Sequence, residues 1–282
     1  MTVSSLLSWA QDILTRANIS SPRVDAEWIL LHILQCTRPE LAFQPTPSHH
    51  QIETYRHLIA QRCKRIPLQH LLGETEFYGL RFESTPQALI PRMDTETLVE
   101  AVIDRLKHHP APKILDIGTG SGIIATTLAH ELPLSRLWAV DICKSSLDLA
   151  RRNAHLNHVT NRIHFIQSHL LTALIPTMQF DAIVSNPPYI PTGDILTLEP
   201  EVRHHDPHLA LDGGVDGLDY YRLIIPQSMP YLKHNGILAL EIGHDQAQAI
   251  TDIISKHKQF GKTITQSDLA GHTRILISQK RA

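Results

Sequence analysis

Apolar residues near the start of the chain recur every three or four positions. Leu6, Leu7, Ala10, Ile13, Leu14 and Ala17 trace one helical face. Ser21-Pro22 then offers an N-cap followed by a first-turn proline, which predicts a second helix through Trp28, Leu31 and Leu34. Ser48 with Gln51 three positions on is a capping-box pair ahead of Ile52, Tyr55, Ile59 and Cys63. That helix ends in Arg62, Lys64 and Arg65, read as a solvated C-terminus favoured by the helix dipole. From Ile66 to Pro91 the period changes. "LLGETEFYGLRFESTPQALIP" alternates and is broken by glycines and prolines, the pattern of a hairpin between two domains.

A helix over 95–107 leads into a different regime. "KILDIG", "RLWAVDI", "RIHFIQS", "FDAIVSN", "GILALEIG", "KTITQSDL" and "TRILISQK" read as strands, with helices such as "IIATTLAHEL" and "SLDLARRNAHL" between the first several. Short apolar strands joined by helices predict a parallel sheet covered on both faces. Only "AGH" separates the last two strands, too little chain for a parallel crossover, so they are expected to pair antiparallel. The expected fold is α/β: a small helical domain over 1–73, a hairpin linker over 74–94, and a Rossmann-like sheet domain with an antiparallel C-terminal hairpin over 95–282.

Composition narrows the class. The 282 residues are 42% hydrophobic and 19% charged, enough for a substantial core and unlike a disordered chain. A formal net charge of −2 provides no whole-molecule attraction to nucleic acid or an anionic membrane. Cys36, Cys63 and Cys143 are odd in number and lack CxxC spacing, which points to a reduced, cytoplasmic protein without disulfides or a zinc knuckle. Neither a signal peptide nor a membrane span is expected.

"KILDIGTGSG" carries Asp116, Gly118, Thr119, Gly120, Ser121 and Gly122 where the first sheet strand turns into a helix. Glycines there allow a tight turn and a close ligand approach. GxGxG spacing departs from the GxGxxG of nicotinamide sites, and no Gly-Lys-Ser/Thr follows for a triphosphate. Asp141 ends the second strand 25 positions after Asp116, near the offset at which a carboxylate holds ribose hydroxyls. The competing reading is an N-cap for the helix after Ser145. Loop and carboxylate together favour a nucleoside-like ligand, S-adenosylmethionine.

"FDAIVSNPPY" puts Asn186, Pro187, Pro188 and Tyr189 at the C-terminal end of a central strand, where α/β sheets bind ligands. The prolines lack N–H groups and stiffen the loop, so its carbonyls are free acceptors. With the Asn186 side-chain carbonyl they suit a planar –NH2 group, and Tyr189 offers a flat wall tolerant of a sulfonium. An amide nitrogen is a poor nucleophile, so fixing both its N–H groups toward a methyl donor is the assistance it needs. A Pro-rich strand exit is the bland alternative. The combination points to a methyltransferase.

At these residues the chain resembles a family: the protein-glutamine methyltransferases that modify peptide-chain release factors. Its pattern is met by "PLQHLLG" from Pro67 to Gly73, "IPRMDTE" from Ile90 to Glu96, "DIGTGSG", "NPPY", and "HDPHLALDGGVDGLDYYR" from His205 to Arg222. The resemblance covers nearly the whole chain. It implies S-adenosylmethionine as donor, leaving S-adenosylhomocysteine, with Gly118 to Gly122, Asp141 and Asn186 at its pocket and no metal. It implies Asn186 and Pro187 as catalytic, holding the acceptor amide with Pro188 and Tyr189 beside it. The acceptor would be the glutamine of a Gly-Gly-Gln loop in class 1 release factors, gripped in part by the helical domain of a monomeric enzyme. One departure is that His169 and Leu170 stand where many relatives carry Asp and Trp, so the Trp contact to the adenine is not implied here and either Leu170, with an apolar face, or His169 is the candidate in its place.

Rival readings differ in substrate. An adenine-specific DNA methyltransferase uses the same four-residue turn but must neutralise phosphates. Residues 1–75 hold seven basic and six acidic residues, a poor DNA-gripping balance. A ribosomal RNA or ribosomal-protein methyltransferase and a non-catalytic cofactor-binding module are the others. His204 and His208 are spaced for a metal on a helix, but Asp206-Pro207 breaks it. Arg92 and Asp94 are candidates for ordering the substrate channel, with helix capping by Asp94 as the alternative. Glu241 reads as a satisfied strand-end carboxylate, with reach into the site as the alternative.

Overall fold

The structure is a computed structural model and describes residues 1–268 and 270–281. Leu269, which closes the expected strand "KTITQSDL", and Ala282 lie outside the described residues. The chain opens with α1 (Val3–Arg16), α2 (Pro22–Leu34), α3 (Arg38–Leu41), α4 (His49–Cys63) and α5 (Leu68–Leu72). A hairpin of β1 (Glu74–Phe77) and β2 (Leu80–Glu83) precedes α6 (Asp94–Leu106). Then come β3 (Lys113–Ile117), α7 (Ile123–Glu131), β4 (Arg136–Asp141), α8 (Lys144–Leu156), β5 (Ile163–Gln167) and β6 (Phe180–Ser185). The last part comprises α9 (Pro200–His205), α10 (Asp219–Ser228), β7 (Leu232–Glu241), α11 (Ala247–Ser255), β8 (Phe260–Ser267) and β9 (Thr273–Lys280). By contact the chain divides into two compact units. One is Met1–Glu74 with Glu199–His205; the other is Thr75–Leu198 with the chain from Asp206 onward.

In the first unit the expected faces meet. Leu6, Ala10 and Leu14 of α1 share an apolar core with Ala26, Ile29 and Leu30 of α2 and Tyr55 and Ile59 of α4. The buried Tyr55 hydroxyl donates to the Ala26 carbonyl at 3.0 Å, so the ring enters the core without an unmet polar group. Ser48 and Gln51 form the expected capping box. Ser21 makes no capping bond; Pro22 alone marks the start of α2, and Trp28 turns outward, half exposed.

The basic end of α4 departs from expectation. Lys64 is exposed, but Arg62 is buried. Its Nε donates to Asp25 at 2.6 Å and its Nη2 pairs with Glu201 at 2.8 Å. Arg65 donates through Nε to the second Glu201 oxygen at 2.9 Å. Burial works to raise the Glu201 carboxyl, and the bonds from Arg62 and Arg65 more than reverse it, leaving it below its ordinary value. A guanidinium can be buried when its fork of donors is matched, and here the matching acceptors come from residues distant in sequence.

In the second unit seven strands run in the order β5-β4-β3-β6-β7-β9-β8. The first five strands in chain order, β3 to β7, pair in parallel, and β9 runs antiparallel to both β7 and β8, as the short "AGH" link requires. Alternation splits the apolar residues between two faces. Ile114, Ala139, Val184 and Ile237 join one cluster with Leu98, Val99 and Val102 of α6. Leu115, Val140, Ile183 and Leu238 join the other with Ile224 of α10 and Ile250 of α11. β7 begins at Leu232, four positions before the expected "GILALEIG", because polar Lys233, His234 and Asn235 hid its first residues.

Replacing Arg62 with Ala leaves buried Asp25 without its cation and Glu201 with Arg65 alone. The expected outcome is a loss of about 3 kcal/mol in denaturant unfolding of the first unit, the size typical of breaking a buried pair. A loss under about 0.5 kcal/mol, the surface-pair scale, would contradict the buried network.

Candidate active site

Strand order reverses between β3 and β6, and in an open α/β sheet the crevice lies beyond the C-terminal ends at such a switch point. The cleft found there is lined by Gly118, Thr119, Gly120, Ser121, Asp141, Asn186, Pro187 and Pro188, while Gly122, expected with them, lies outside its lining. Tyr189 follows, half-buried against the cluster under α10.

The glycine loop owes its shape to left-handed backbone at Gly118, Gly120 and Gly122. A Cβ on Gly122 would lie 2.8 Å from the Ala150 Cβ, so α7 and α8 approach each other at that position only with glycine. Gly118 is different: a Cβ there would meet nothing within 4 Å, so the residue borders open cleft. Gly118 and Thr119 donate their N–H groups to the Val140 carbonyl, tying the loop to β4. Asn153 of α8 holds it from the other side, donating to the Ser121 carbonyl at 2.9 Å. That buried asparagine was not singled out in the sequence and has no motif to announce it.

Asp141 braces the loop too. One carboxylate oxygen accepts from the Gly120 N–H and the other from the Cys143 N–H, each at 2.8 Å. The N-cap of α8 is Cys143, not Asp141. Burial raises the Asp141 carboxyl, opposed by the N–H groups of Cys143, Gly120 and Ile142. Deeper in, Asp116 is fully buried and accepts from the Thr119 hydroxyl at 2.6 Å. Its Oδ1 has no partner among the described residues, and burial pushes the group up to about 7.

The Asn186–Tyr189 turn is clamped from outside by 211–217. Ile190 donates to the Leu211 carbonyl at 3.1 Å, and Gly213 donates back to Ile190 at 2.8 Å. A Cβ on Gly213 would lie 2.8 Å from the Tyr189 Cα and 2.9 Å from the Pro188 oxygen, so the glycine is a packing requirement. Gln246 closes the clamp, donating to the Tyr189 carbonyl at 2.9 Å. The side-chain N–H of Asn186 donates to the Thr95 hydroxyl oxygen at 3.2 Å. Thr95, inside "IPRMDTE", has no sequence signal of its own, since a threonine between charged residues reads as an ordinary first-turn helix position. Burial pushes the Tyr189 phenol up to about 12, so it stays neutral.

Arg92 borders the cleft and donates to Asp206 at 3.2 Å. Asp94 does not cap α6, whose N-cap is Met93; it faces Arg274 of β9 at 3.1 Å. His169 and Leu170 both line the cleft, Leu170 in a left-handed turn at φ 51°. α9 ends at His205, so His204 and His208 do not share a helix. Glu241 is buried at the end of β7, where its carboxyl faces Thr95 and Asn186.

The fold and cleft define an S-adenosylmethionine-dependent methyltransferase. Open backbone at Gly118 and the acidic end of β4, Asp141, which both border the cleft, suit a nucleoside-like ligand. The PrmC N-terminal domain family matches residues 5–73, and the methyltransferase small domain family matches residues 92–199. A release factor glutamine methyltransferase of Geobacter sulfurreducens is 40% identical over 277 residues, 98% of this chain and 95% of that protein. One from Moorella thermoacetica is 39% identical over 283 residues, 100% and 99% of the two. The chain belongs to the release factor glutamine methyltransferase family. Among solved structures, the hMettl16 catalytic domain shares the fold at TM-score 0.59 and 18% identity, covering 79% of this chain and 81% of that one. A Pyrococcus furiosus methyltransferase does so at TM-score 0.52 and 19% identity, covering 73% and 91%.

Two glycine substitutions separate binding from stability. Gly118→Ala is expected to weaken S-adenosylhomocysteine binding at least about ten-fold by calorimetry while costing about 1–2 kcal/mol of stability. Gly122→Ala, which adds the Ala150 clash, is expected to cost more than about 2 kcal/mol in denaturant unfolding.

Proposed function

We propose that the protein methylates the side-chain amide nitrogen of the glutamine in the Gly-Gly-Gln motif of class 1 release factors, supporting translation termination. The observation that carries the reading is the clamped Asn186–Pro187–Pro188–Tyr189 turn, whose first three residues line one cleft with the glycine loop. When bound, S-adenosylmethionine supplies an electrophilic methyl group on a sulfonium centre. Gly118 to Gly122 shape its cradle, Asp141 takes the ribose hydroxyls, and Asn186 borders both ligands. Leu170 provides the apolar side for the adenine.

Asn186 spends an amide N–H on Thr95, so its carbonyl oxygen is the end presented to substrate. That oxygen and the Pro187 carbonyl each accept one N–H of the glutamine amide. Pro188 holds the turn in extended geometry, and neutral Tyr189 forms a flat wall. Holding both N–H groups aims the nitrogen's weak lone pair, and such positioning can contribute up to about 7–11 kcal/mol. Arg92, held by Asp206, orders the channel mouth. The full reading includes a helical substrate-gripping domain over 1–73, a linker over 74–94 and a catalytic domain over 95–282. It also includes action as a monomer in the cytoplasm without metal. Among the described residues no helix is long and apolar enough to cross a membrane.

Labelled S-adenosylmethionine offered with release factor, its Gln→Ala variant and duplex DNA tests the substrate. Label is expected in the first alone; label in DNA, or equal label in the Gln→Ala variant, refutes it. Asn186→Ala is expected to lower kcat by about 10²–10³-fold with S-adenosylhomocysteine affinity within about three-fold. A matching loss of affinity would move Asn186 to a cofactor role.

A further inference from the structure

We infer that Glu241 is a positioning residue: together with Thr95 it fixes which end of the Asn186 side-chain amide faces the cleft. The inference rests on the reading that Asn186 holds the substrate amide.

The arrangement follows from strand register. Ser185 pairs with Leu240, so Asn186 and Glu241 are the next residues at adjacent strand ends. Ala182 and Val184 of β6, and Ile237 and Ala239 of β7, face the cluster under α6. Alternation puts Asn186 and Glu241 on that same face, beneath the first turn of α6, which carries Thr95. Thr95 and Glu241 are each 1% exposed. Asn186 and Thr95 line the cleft; Glu241 is set back from that lining, with Oε2 unpartnered among the described residues.

The donor inventory decides what this cluster does. The Thr95 oxygen accepts from Asn186, so its own proton is free for the carboxylate that faces it. An ionised carboxylate only accepts. It therefore welcomes the Asn186 N–H end and repels the carbonyl end, holding the latter outward. A protonated carboxyl can donate, and then the flipped amide is equally well met.

Burial pushes Glu241 up to about 7; the Thr95 side chain, Arg274 and Asn186 oppose this, while Asp94 adds to it. The Tyr189 and Tyr221 phenols also face it. Both are raised by burial, and the Tyr221 hydroxyl is engaged with the Glu241 backbone carbonyl at 2.8 Å. Glu241 is ionised above that value, so orientation of Asn186 is lost as pH falls through it.

The experiment measures kcat and KM for release factor from about pH 5.5 to 9, the range in which the carboxyl titrates. It uses the full chain with saturating S-adenosylmethionine, and S-adenosylhomocysteine affinity is followed by calorimetry. Wild-type kcat is expected to fall below pH about 7. Glu241→Gln, whose amide can donate, is expected to lose about 10–10²-fold in kcat at pH 8, with KM and S-adenosylhomocysteine affinity within about three-fold and without the acid limb. Thr95→Val is expected to show a similar loss, and Thr95→Ser to recover at least about ten-fold of it. An active wild-type enzyme with an unchanged acid limb in Glu241→Gln overturns the inference alone. Equal kcat in the Val and Ser variants does the same, and decides the matter if the Gln variant folds poorly. A wild-type enzyme inactive on release factor overturns the underlying reading and the inference with it.

Discussion

There is no room for a side chain between the backbone of Pro188–Tyr189 and that of 213–217, and much of the site depends on this close approach. Gly213 lies against Pro188 and Tyr189, and Ile190 bonds in both directions with 211–213. Two prolines remove the N–H groups that would otherwise tie the turn into a strand, so outside support must hold it. The supporting loop supplies backbone rather than side chains. Gln246 completes the support from the start of α11. A turn held in this way offers its carbonyls to a ligand without reorganising, which is what electrostatic preorganisation requires.

Burial governs the chemistry around that turn. Asp116, Asp206 and Glu241 are all pushed upward by desolvation, to about 7, 6 and 7. Only Asp206 has a nearby guanidinium bonded to it, that of Arg92. None of the three lines the cleft, so each depends on neighbouring donors rather than on solvent or ligand to ionise.

The sequence made legible those features that depend on local repetition or on residues with few conformational options. Short apolar runs between helical segments located all seven sheet strands, and the glycine and proline clusters located both loops of the cleft. The short final link dictated the antiparallel pair. What stayed hidden depends on partners far apart in the chain. Arg62 looked solvated because its acceptors, Asp25 and Glu201, lie 37 positions behind and 139 ahead. Thr95 and Asn153 carry no motif and gain meaning only from what the fold places against them. The glycines of "LDGGVDG" were visible as a pattern, but their reason, backbone against backbone, appears only in three dimensions.

The division of the chain has a consequence for its synthesis. The first compact unit contains Glu199–His205 as well as Met1–Glu74, so its charge balance is incomplete when residue 74 leaves the ribosome. Arg62 and Arg65 then await Glu201, which is made only after most of the sheet has been translated. At about 5–20 residues per second the delay is on the order of ten seconds. The helices can form early from their own apolar faces, but the last ionic closure of the first unit follows the first four sheet strands of the second in time.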